Sequence, residues 1–254
     1  MSVQAPLRSV RRYDACRWLL RGAVGLYVRV RVEGRANLPS GPFVLCFSHQ
    51  NWTDPLFVLG WLPGRPQTFF FGPEQEEMRR GARNRLMRWV GIAVPYKPGR
   101  RGLVSATARA RAILAAGRTI AIAGEGRIHA GERVVLPILP GAAYLALRAD
   151  VPIVPLAING TGWLGFRAAV RLRIGEPIHR NSMVRFHPTA DEMDGLATAT
   201  THALRALVAD HADKPRPGPV ASRLTELFND WPEGSRPEAP PAEPRREPRA
   251  SSGG

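Results

Sequence analysis

The sequence predicts an α/β domain with a mostly parallel central sheet flanked by helices. Short apolar runs, which are typical of buried strands, alternate with segments of helical periodicity along most of the chain. The length of 254 residues and a hydrophobic content of 44% suffice for a single well-filled domain. No repeat of about 20 to 50 residues divides the chain, which argues against a repeat architecture.

The N-terminal segment combines a helix with a strand. Residues 14–27 have a helical spacing that places apolar side chains on one stripe and arginines on the other side: Cys16, Leu19, Ala23 and Leu26 against Arg17 and Arg21. Residues 28–33 alternate valine with charged side chains, which predicts a strand. A basic amphipathic helix of this kind either docks in a lipid interface or covers the core of its own domain, and the sequence leaves both open.

The remaining elements follow in chain order. After a turn rich in Pro and Gly at 37–42, the apolar run 43–47 suits a strand that is buried on both faces. Further apolar runs predict strands at 68–71, 92–96, 119–123, 152–158 and 170–174. Helical spacing predicts helices at 55–62, 74–89, 102–116, 141–149, 191–210 and 222–229.

Four segments are expected along the chain. Residues 1–32 form the N-terminal amphipathic helix and lead-in strand, residues 33–212 the main domain, and residues 213–231 a C-terminal helical extension. Residues 232–254 contain almost no large apolar side chains. Because such a segment cannot offset the entropy of ordering, we expect a disordered tail there.

Positive charge is in large excess and unevenly distributed. Lys and Arg number 36 against 21 Asp and Glu, a formal net charge of +15. Residues 78–124 contain eleven basic side chains and no acidic one. Such a face favours an anionic partner: phosphate, anionic lipid or nucleic acid. Nucleic acid is not expected, because the sequence lacks zinc-finger spacing, basic-region heptads and an aromatic RNA-binding signature.

Two features bear on where the protein acts. Cys16 and Cys46 cannot build a disulfide framework, which favours a reducing compartment. No apolar run reaches the roughly eighteen residues that a spanning helix needs, and no cleavable signal peptide is evident. We therefore expect a cytoplasmic protein in peripheral contact with the inner face of the membrane.

A histidine and an aspartate five residues apart are the main candidates for chemistry. His49 follows the predicted strand 43–47, and Asp54 precedes Pro55, which favours a helix with Asp54 as its N-cap. A carboxylate bonded to one imidazole nitrogen fixes the tautomer, and the other nitrogen can then remove a proton from an alcohol. The structural alternative is that Asp54 only caps the helix and His49 is a hydrogen-bonded structural residue.

Two further strand ends carry charged residues. Residues 124–129 (Gly-Glu-Gly-Arg-Ile-His) follow strand 119–123, where the glycines allow the backbone to approach a ligand and Arg127 is placed for bidentate phosphate contact. A plain surface turn is the alternative there. The strand 92–96 ends at Lys97. Residues 151–155 (Val-Pro-Ile-Val-Pro) carry no chemistry, and their prolines suit the edge or wall of a sheet.

In this order, the four blocks resemble those of the glycerolipid acyltransferase family, to which the 1-acylglycerol-3-phosphate acyltransferases belong. The resemblance extends over residues 33–177. Each block supplies matching residues: His49 and Asp54 of the His-x4-Asp block, Lys97 in place of an arginine, Glu125 and Gly126, and residues 151–155. The third block departs from the family pattern, since Ala123-Gly124 replaces Phe-Pro and Arg127-Ile128 stands where Thr-Arg is usual.

The resemblance implies an O-acyltransferase that moves a fatty acyl chain from acyl-CoA or acyl carrier protein to a hydroxyl of a (lyso)glycerophospholipid such as 1-acylglycerol-3-phosphate. It implies that His49 deprotonates the hydroxyl and that Asp54 orients His49. Lys97 and Arg127 are expected to hold the phosphate of the acceptor, and Glu125 either positions the acceptor's hydroxyls or organises the loop, with Gly126 beside it in the substrate-binding turn. An anionic membrane surface is the expected partner. No cofactor is expected, and no metal, because the remaining histidines lack metal-ligand spacing.

Three alternatives remain open at this point. The protein is a non-catalytic member that binds anionic lipid through residues 17–31 and 78–124, or an acyltransferase with a different lysolipid or glycolipid acceptor. The third alternative is a thioesterase-like hydrolase with water as the acceptor.

Overall fold

A seven-stranded sheet forms the centre of the computed structural model, which describes residues 10–73, 81–97, 100–126, 128, 131–180, 188–212 and 218–228. Its strands are β1 (Arg29–Glu33), β2 (Val44–Phe47), β3 (Thr68–Pro73), β4 (Ala93–Tyr96), β5 (Thr119–Ala123), β6 (Ile153–Asn159) and β7 (Ala169–Ile174). The helices are α1 (Val10–Tyr27), α2 (Asp54–Trp61), α3 (Gly81–Val90), α4 (Arg100–Ala115), α5 (Pro140–Ala149), α6 (Ala190–Val208) and α7 (Pro219–Phe228).

The strand order is β1-β7-β6-β2-β5-β3-β4, and every neighbouring pair is parallel except β6 and β7. The predicted mostly parallel α/β fold is therefore confirmed. Because β7 runs against β6 and β1 follows β7, the carboxyl ends of β2 to β6 share one edge of the sheet with the amino ends of β1 and β7. We call this edge the carboxyl edge.

The two central strands β2 and β6 are buried along their whole length, as their continuous apolar sequences predict. Pro155 was expected at an edge or wall of the sheet, but it lies within β6, between β2 and β7. Its carbonyl accepts a hydrogen bond from Gly175 N, so its backbone faces β7, where the β6–β7 pairing begins only at Leu156. Pro155 cannot donate toward β7, and this gap in the hydrogen bonds lies between the bridge from Ile153 to Ile178 and the β6–β7 pairing.

Helices cover both faces of the sheet. Helices α4, α5 and α6 pack in sequence against one another, whereas α1 packs against α2 and α3. Right-handed crossovers that step in opposite directions along the sheet place their helices on opposite faces, which separates α2 and α3 from α4 and α5. No helix of the described residues is long and apolar enough to traverse a bilayer.

The helix predicted at 14–27 forms as α1, but of its predicted apolar stripe only Cys16 is buried in the core. Leu19 and Leu26 are 55% and 77% exposed, whereas Arg17 is only 7% exposed. The buried residues of α1 are Tyr13, Cys16 and Arg17. Hydrophobic periodicity could not predict this rotation, because an arginine takes part in the buried face.

The buried arginine is explained by the end of α2. The last carbonyls of a helix have no partner within the helix, and those of α2 accept hydrogen bonds from arginines outside it. The Arg17 guanidinium donates to the carbonyls of Leu59 and Leu62. Arg21 donates to Gly60 O at 2.6 Å and Arg35 to Trp61 O at 3.2 Å. Positive charge at a helix C-terminus is also favoured by the helix dipole. Arg17 and Arg21 therefore fix α1 against α2, and Arg35 joins the segment after β1 to the same helix end.

Parts of the prediction lie outside the described residues. These are the first seven residues of the helix predicted at 74–89, residues 213–217 and 229–231 of the predicted C-terminal extension, and the tail at 232–254. The four-segment division itself stays a prediction.

Replacing Arg17 tests its buried role. We expect Arg17→Met to lower the free energy of unfolding by about 2–4 kcal/mol, because two buried carbonyls lose a charged donor. Arg21→Met removes a single bond made by an exposed residue, and we expect a loss of less than about 1 kcal/mol. Urea denaturation followed by circular dichroism measures both. Equal losses in the two variants would contradict the assigned role of Arg17.

Candidate active site

His49 and Asp54 lie together at the carboxyl edge. His49 follows β2 and Asp54 is the first residue of α2. The imidazole Nδ1 is 3.0 Å from Asp54 Oδ2, and the two residues are 1% and 0% exposed. Because a carboxylate only accepts hydrogen bonds, Nδ1 carries the proton and Nε2 is the basic nitrogen. The structure thus brings the predicted pair into direct contact.

The predicted cap of α2 is wrong in detail. Thr53, not Asp54, is the N-cap residue. The Asp54 carboxylate points toward the loop that precedes α2, where its Oδ2 accepts hydrogen bonds from Gln50 N and Asn51 N, both at 2.8 Å. One oxygen atom therefore gathers the imidazole and the two amides of the intervening loop, which fixes the loop around His49.

The loop is also tied to neighbouring elements by residues that spacing did not single out. Ser48 Oγ accepts a hydrogen bond from Ile158 N of β6 at 3.0 Å. Asn51 Nδ2 donates to Thr161 O at 2.7 Å, and Asn51 Oδ1 accepts from Thr53 N at 2.9 Å. Ser48 and its partner Ile158 are 110 residues apart in the sequence, and so are Asn51 and Thr161. No local sequence signal therefore reveals these bonds.

The Glu125-Gly126 turn lies beside His49, since β5 is the direct neighbour of β2 and Phe47 pairs with Ala123. Glu125 is 5% exposed. Gly126 has a φ of +69°, and a Cβ there would lie 2.5 Å from Leu139 Cδ1. The turn therefore requires glycine at this position.

Gly124 explains one departure from the family pattern. A Cβ at this position would collide with Cys46 Sγ and lie 2.7 Å from Ile138 Cδ1. Gly124 N also donates to Phe47 O at 3.2 Å, a bond that proline cannot make. In this chain the family's usual proline would lose this hydrogen bond to β2 and collide with Cys46 and Ile138.

Neither cysteine is suited to act as a nucleophile. Burial raises the pKa of the Cys46 thiol, and the nearby Glu125 carboxylate raises it further. Burial likewise raises the pKa of Cys16 to about 11, against a lowering effect of Arg17. Both thiols stay protonated at neutral pH, whereas nucleophilic cysteines need the thiolate.

Of the two predicted phosphate-binding residues, the structure describes only Lys97. Lys97 is exposed and follows β4 at the carboxyl edge. It is three strand positions from β2, or about 14 Å at the usual strand spacing. Arg127 lies outside the described residues. The structure thus places His49, Asp54, Glu125 and Gly126 on two adjacent strand ends, with Lys97 at a distance along the same edge.

The basic block at 78–124 is not one uniform face. Arg109 donates a hydrogen bond to Pro95 O at 2.5 Å, and the Arg118 guanidinium stacks over the Phe69 ring at 5.6 Å. Part of the block therefore packs the edge of the sheet, while Arg101 and Lys97 are exposed. Among the described residues no group of three or more His, Cys, Asp or Glu side chains is arranged to hold a metal ion.

Comparisons with known proteins bear on the fold and the family of this chain. The crystal structure of PlsC, the 1-acyl-sn-glycerophosphate (LPA) acyltransferase from Thermotoga maritima, matches with a TM-score of 0.60 at 21% sequence identity, over 80% of this chain and 81% of that chain. That likeness shows a shared fold. No curated protein matches the sequence. The acyltransferase family model matches residues 29–159, which include His49, Asp54, Lys97 and the Glu125-Gly126 turn. This match covers just over half of the chain, and the protein is therefore a member of the acyltransferase family.

Proposed function

We propose that the protein transfers a fatty acyl chain from the thioester of acyl-CoA or acyl carrier protein to a hydroxyl of a (lyso)glycerophospholipid such as 1-acylglycerol-3-phosphate. The observation that carries the proposal is the 3.0 Å contact between His49 Nδ1 and Asp54 Oδ2 beside the Glu125-Gly126 turn. The family membership and the fold shared with a 1-acyl-sn-glycerophosphate acyltransferase support the same reaction.

In the proposed reaction, His49 Nε2 takes the proton from the acceptor hydroxyl. The hydroxyl oxygen bonds to the thioester carbonyl carbon, the carbon–sulfur bond breaks, and the proton passes from the imidazolium to the departing thiolate. Asp54 holds the tautomer and stabilises the imidazolium that forms. No covalent acyl-enzyme is required, and the two protonated thiols support direct transfer.

The burial of His49 favours a lipid hydroxyl over water as the acceptor. With the residue 1% exposed, Nε2 is screened from bulk solvent, so the acceptor has to displace part of the covering chain to reach it. Binding energy from the rest of a lipid molecule can drive such a displacement, whereas water has none to contribute. This argument favours transfer over thioester hydrolysis.

The reaction is tested with purified protein, labelled acyl-CoA or acyl carrier protein, and a panel of lysophospholipid, glycerol phosphate and glycolipid acceptors. We expect His49→Ala to lower kcat by about 10²- to 10⁴-fold, because general-base catalysis is lost. Asp54→Asn, which keeps size but removes charge, is expected to fall between His49→Ala and the wild type.

The matched control is His202→Ala, since His202 is exposed on α6. It should leave kcat unchanged. Full activity in His49→Ala would exclude the proposed base. Release of free fatty acid without any acylated acceptor would assign the protein as a hydrolase instead.

Lys97 and Arg127 are proposed to hold the acceptor's phosphate. We expect Lys97→Ala and Arg127→Ala each to raise KM for a phosphorylated acceptor about 10-fold, the effect of one charge-assisted hydrogen bond, with KM for the thioester unchanged. Arg223→Ala, which removes an exposed positive charge from α7, is the control. An unchanged acceptor KM in both variants would show that the phosphate binds elsewhere.

We further propose that the protein acts in peripheral contact with an anionic membrane on the cytoplasmic side, where both free thiols would stay reduced. The outward side of α1 presents Trp18, Leu19 and Leu26, which are 75%, 55% and 77% exposed. Phe166, 74% exposed, lies against Tyr27 at the end of α1, with ring centroids 6.2 Å apart. We call these four side chains the apolar face.

The position and charge of the apolar face support a lipid surface as its partner. The connection from β6 to β7, which contains Phe166 and ends at Ala169, lies at the carboxyl edge, and Tyr27 is bonded to it. The apolar face therefore ends at the same edge of the sheet as the strand ends that carry the site. A groove of about 640 Å³ next to it is lined by four arginines: Arg21, Arg29, Arg31 and Arg35. Exposed aromatic and leucine side chains bordered by arginine match the chemistry of an anionic bilayer interface.

Vesicle sedimentation tests this surface. We expect Leu26→Glu combined with Phe166→Glu to weaken binding to mixed phosphatidylglycerol–phosphatidylcholine vesicles at least 10-fold, because two carboxylates would have to enter the interface. Val104→Glu replaces a side chain that is 63% exposed on α4, on the opposite face of the sheet, and should bind normally. Equal binding by both variants would contradict the assigned surface.

A further inference from the structure

A second buried pair of a histidine and a carboxylate lies near the site. Glu132, in the segment between β5 and α5, and His211, just after α6, are 7% and 9% exposed. His211 Nε2 lies 2.6 Å from Glu132 Oε2. Since the carboxylate can only accept, the imidazole donates through Nε2. Nothing in the proposed acyl transfer uses this pair directly.

The carboxylate of Glu132 holds the turn that follows β6. Its Oε2 accepts a hydrogen bond from Gly160 N at 2.5 Å and its Oε1 accepts one from Gly162 N at 2.7 Å. The Glu132 carbonyl accepts a further bond from Asn159 Nδ2 at 2.8 Å. One buried residue therefore fixes the side chain of Asn159 and the backbone amides of Gly160 and Gly162. We call residues 159–162 the glycine turn.

The glycine turn is in turn bonded to the loop that carries His49. Its central residue, Thr161, accepts a hydrogen bond from Asn51 Nδ2 at 2.7 Å. Asn51 N donates to Asp54 Oδ2, the same atom that lies 3.0 Å from His49 Nδ1. His211 is thus connected to the His49–Asp54 pair by hydrogen bonds of Glu132 and Asn51 that are joined through the backbone of the glycine turn.

We propose that Glu132 is a positioning residue for the His49–Asp54 pair and that His211 holds the Glu132 carboxylate in place. The inference rests on the proposed role of His49 as the base. If the glycine turn moves, Thr161 O moves with it, and the Asn51 side chain loses the partner that fixes the His49 loop. Because proton transfer depends on sub-ångström placement, the effect falls on the chemical step and not on substrate binding.

Glu132→Gln is the first test. A neutral amide cannot accept from both backbone amides and from His211, so we expect kcat to fall about 10- to 100-fold with KM for thioester and acceptor within about twofold. The control is Glu192→Gln. Glu192 accepts from Thr189 N at 2.8 Å and pairs with Arg180 at 3.3 Å at the start of α6, and none of these bonds leads to His49. Its kcat should be unchanged.

His211 provides a test that depends less on folding. In His211→Gln the amide can still donate to Glu132, whereas His211→Leu offers no donor. We expect the glutamine variant to retain most of the wild-type kcat and the leucine variant to lose about as much as Glu132→Gln. This comparison decides the matter if Glu132→Gln does not fold. Equal kcat in the glutamine and leucine variants would overturn the role of His211.

A signal that does not require turnover separates this inference from the proposed function. The Nδ1 proton between His49 and Asp54 is buried and should give a downfield proton resonance in NMR, assigned by its loss in His49→Ala. We expect this resonance to shift or broaden in Glu132→Gln and to stay unchanged in Glu192→Gln. A folded Glu132→Gln with wild-type kcat and an unshifted resonance would overturn the inference. If the wild type acylates no acceptor, the proposed function fails, while the resonance still tests the positioning.

Discussion

A single oxygen atom, Asp54 Oδ2, organises the site. It faces His49 Nδ1 and accepts from two successive backbone amides, so the six-residue loop between β2 and α2 closes around one negative charge. Because these donors are buried, their bonds are stronger than the same bonds in water, and losing any of them is costly. The position of His49 therefore depends on where α2 begins. The contacts that hold α2 and its preceding loop in place also hold His49.

Both ends of α2 are held by side chains from distant segments. At its start, Asn51 is bonded to the turn after β6, and at its end the last carbonyls accept from Arg17, Arg21 and Arg35. Part of the positive charge of the protein therefore neutralises the end of α2. Arg21 and Arg35 also line the groove beside α1, together with the exposed Arg29 and Arg31.

The strands and helices were predicted well because, in an α/β fold of this kind, each element has its own local pattern of apolar residues. Strands such as β2 and β6 are buried on both faces and appear as continuous apolar runs, while the helices keep their own period. The exception is α1, where the core face includes Arg17 and the apolar Leu19 and Leu26 point outwards. Hydrophobic periodicity records only where apolar residues repeat along the chain. It therefore cannot predict an arginine that is buried because it donates hydrogen bonds to buried carbonyl groups.

By itself, the sequence determined the α/β class and identified His49 and Asp54 as a candidate pair, because a short spacing after a buried strand brings the two residues to the same loop. Only the tertiary structure decided what surrounds that pair. The hydrogen bonds of Asn51 with Thr161, and of Glu132 with His211, join residues 110 and 79 positions apart. Such contacts arise when the sheet brings distant strand ends to one edge, and no spacing along the chain records them.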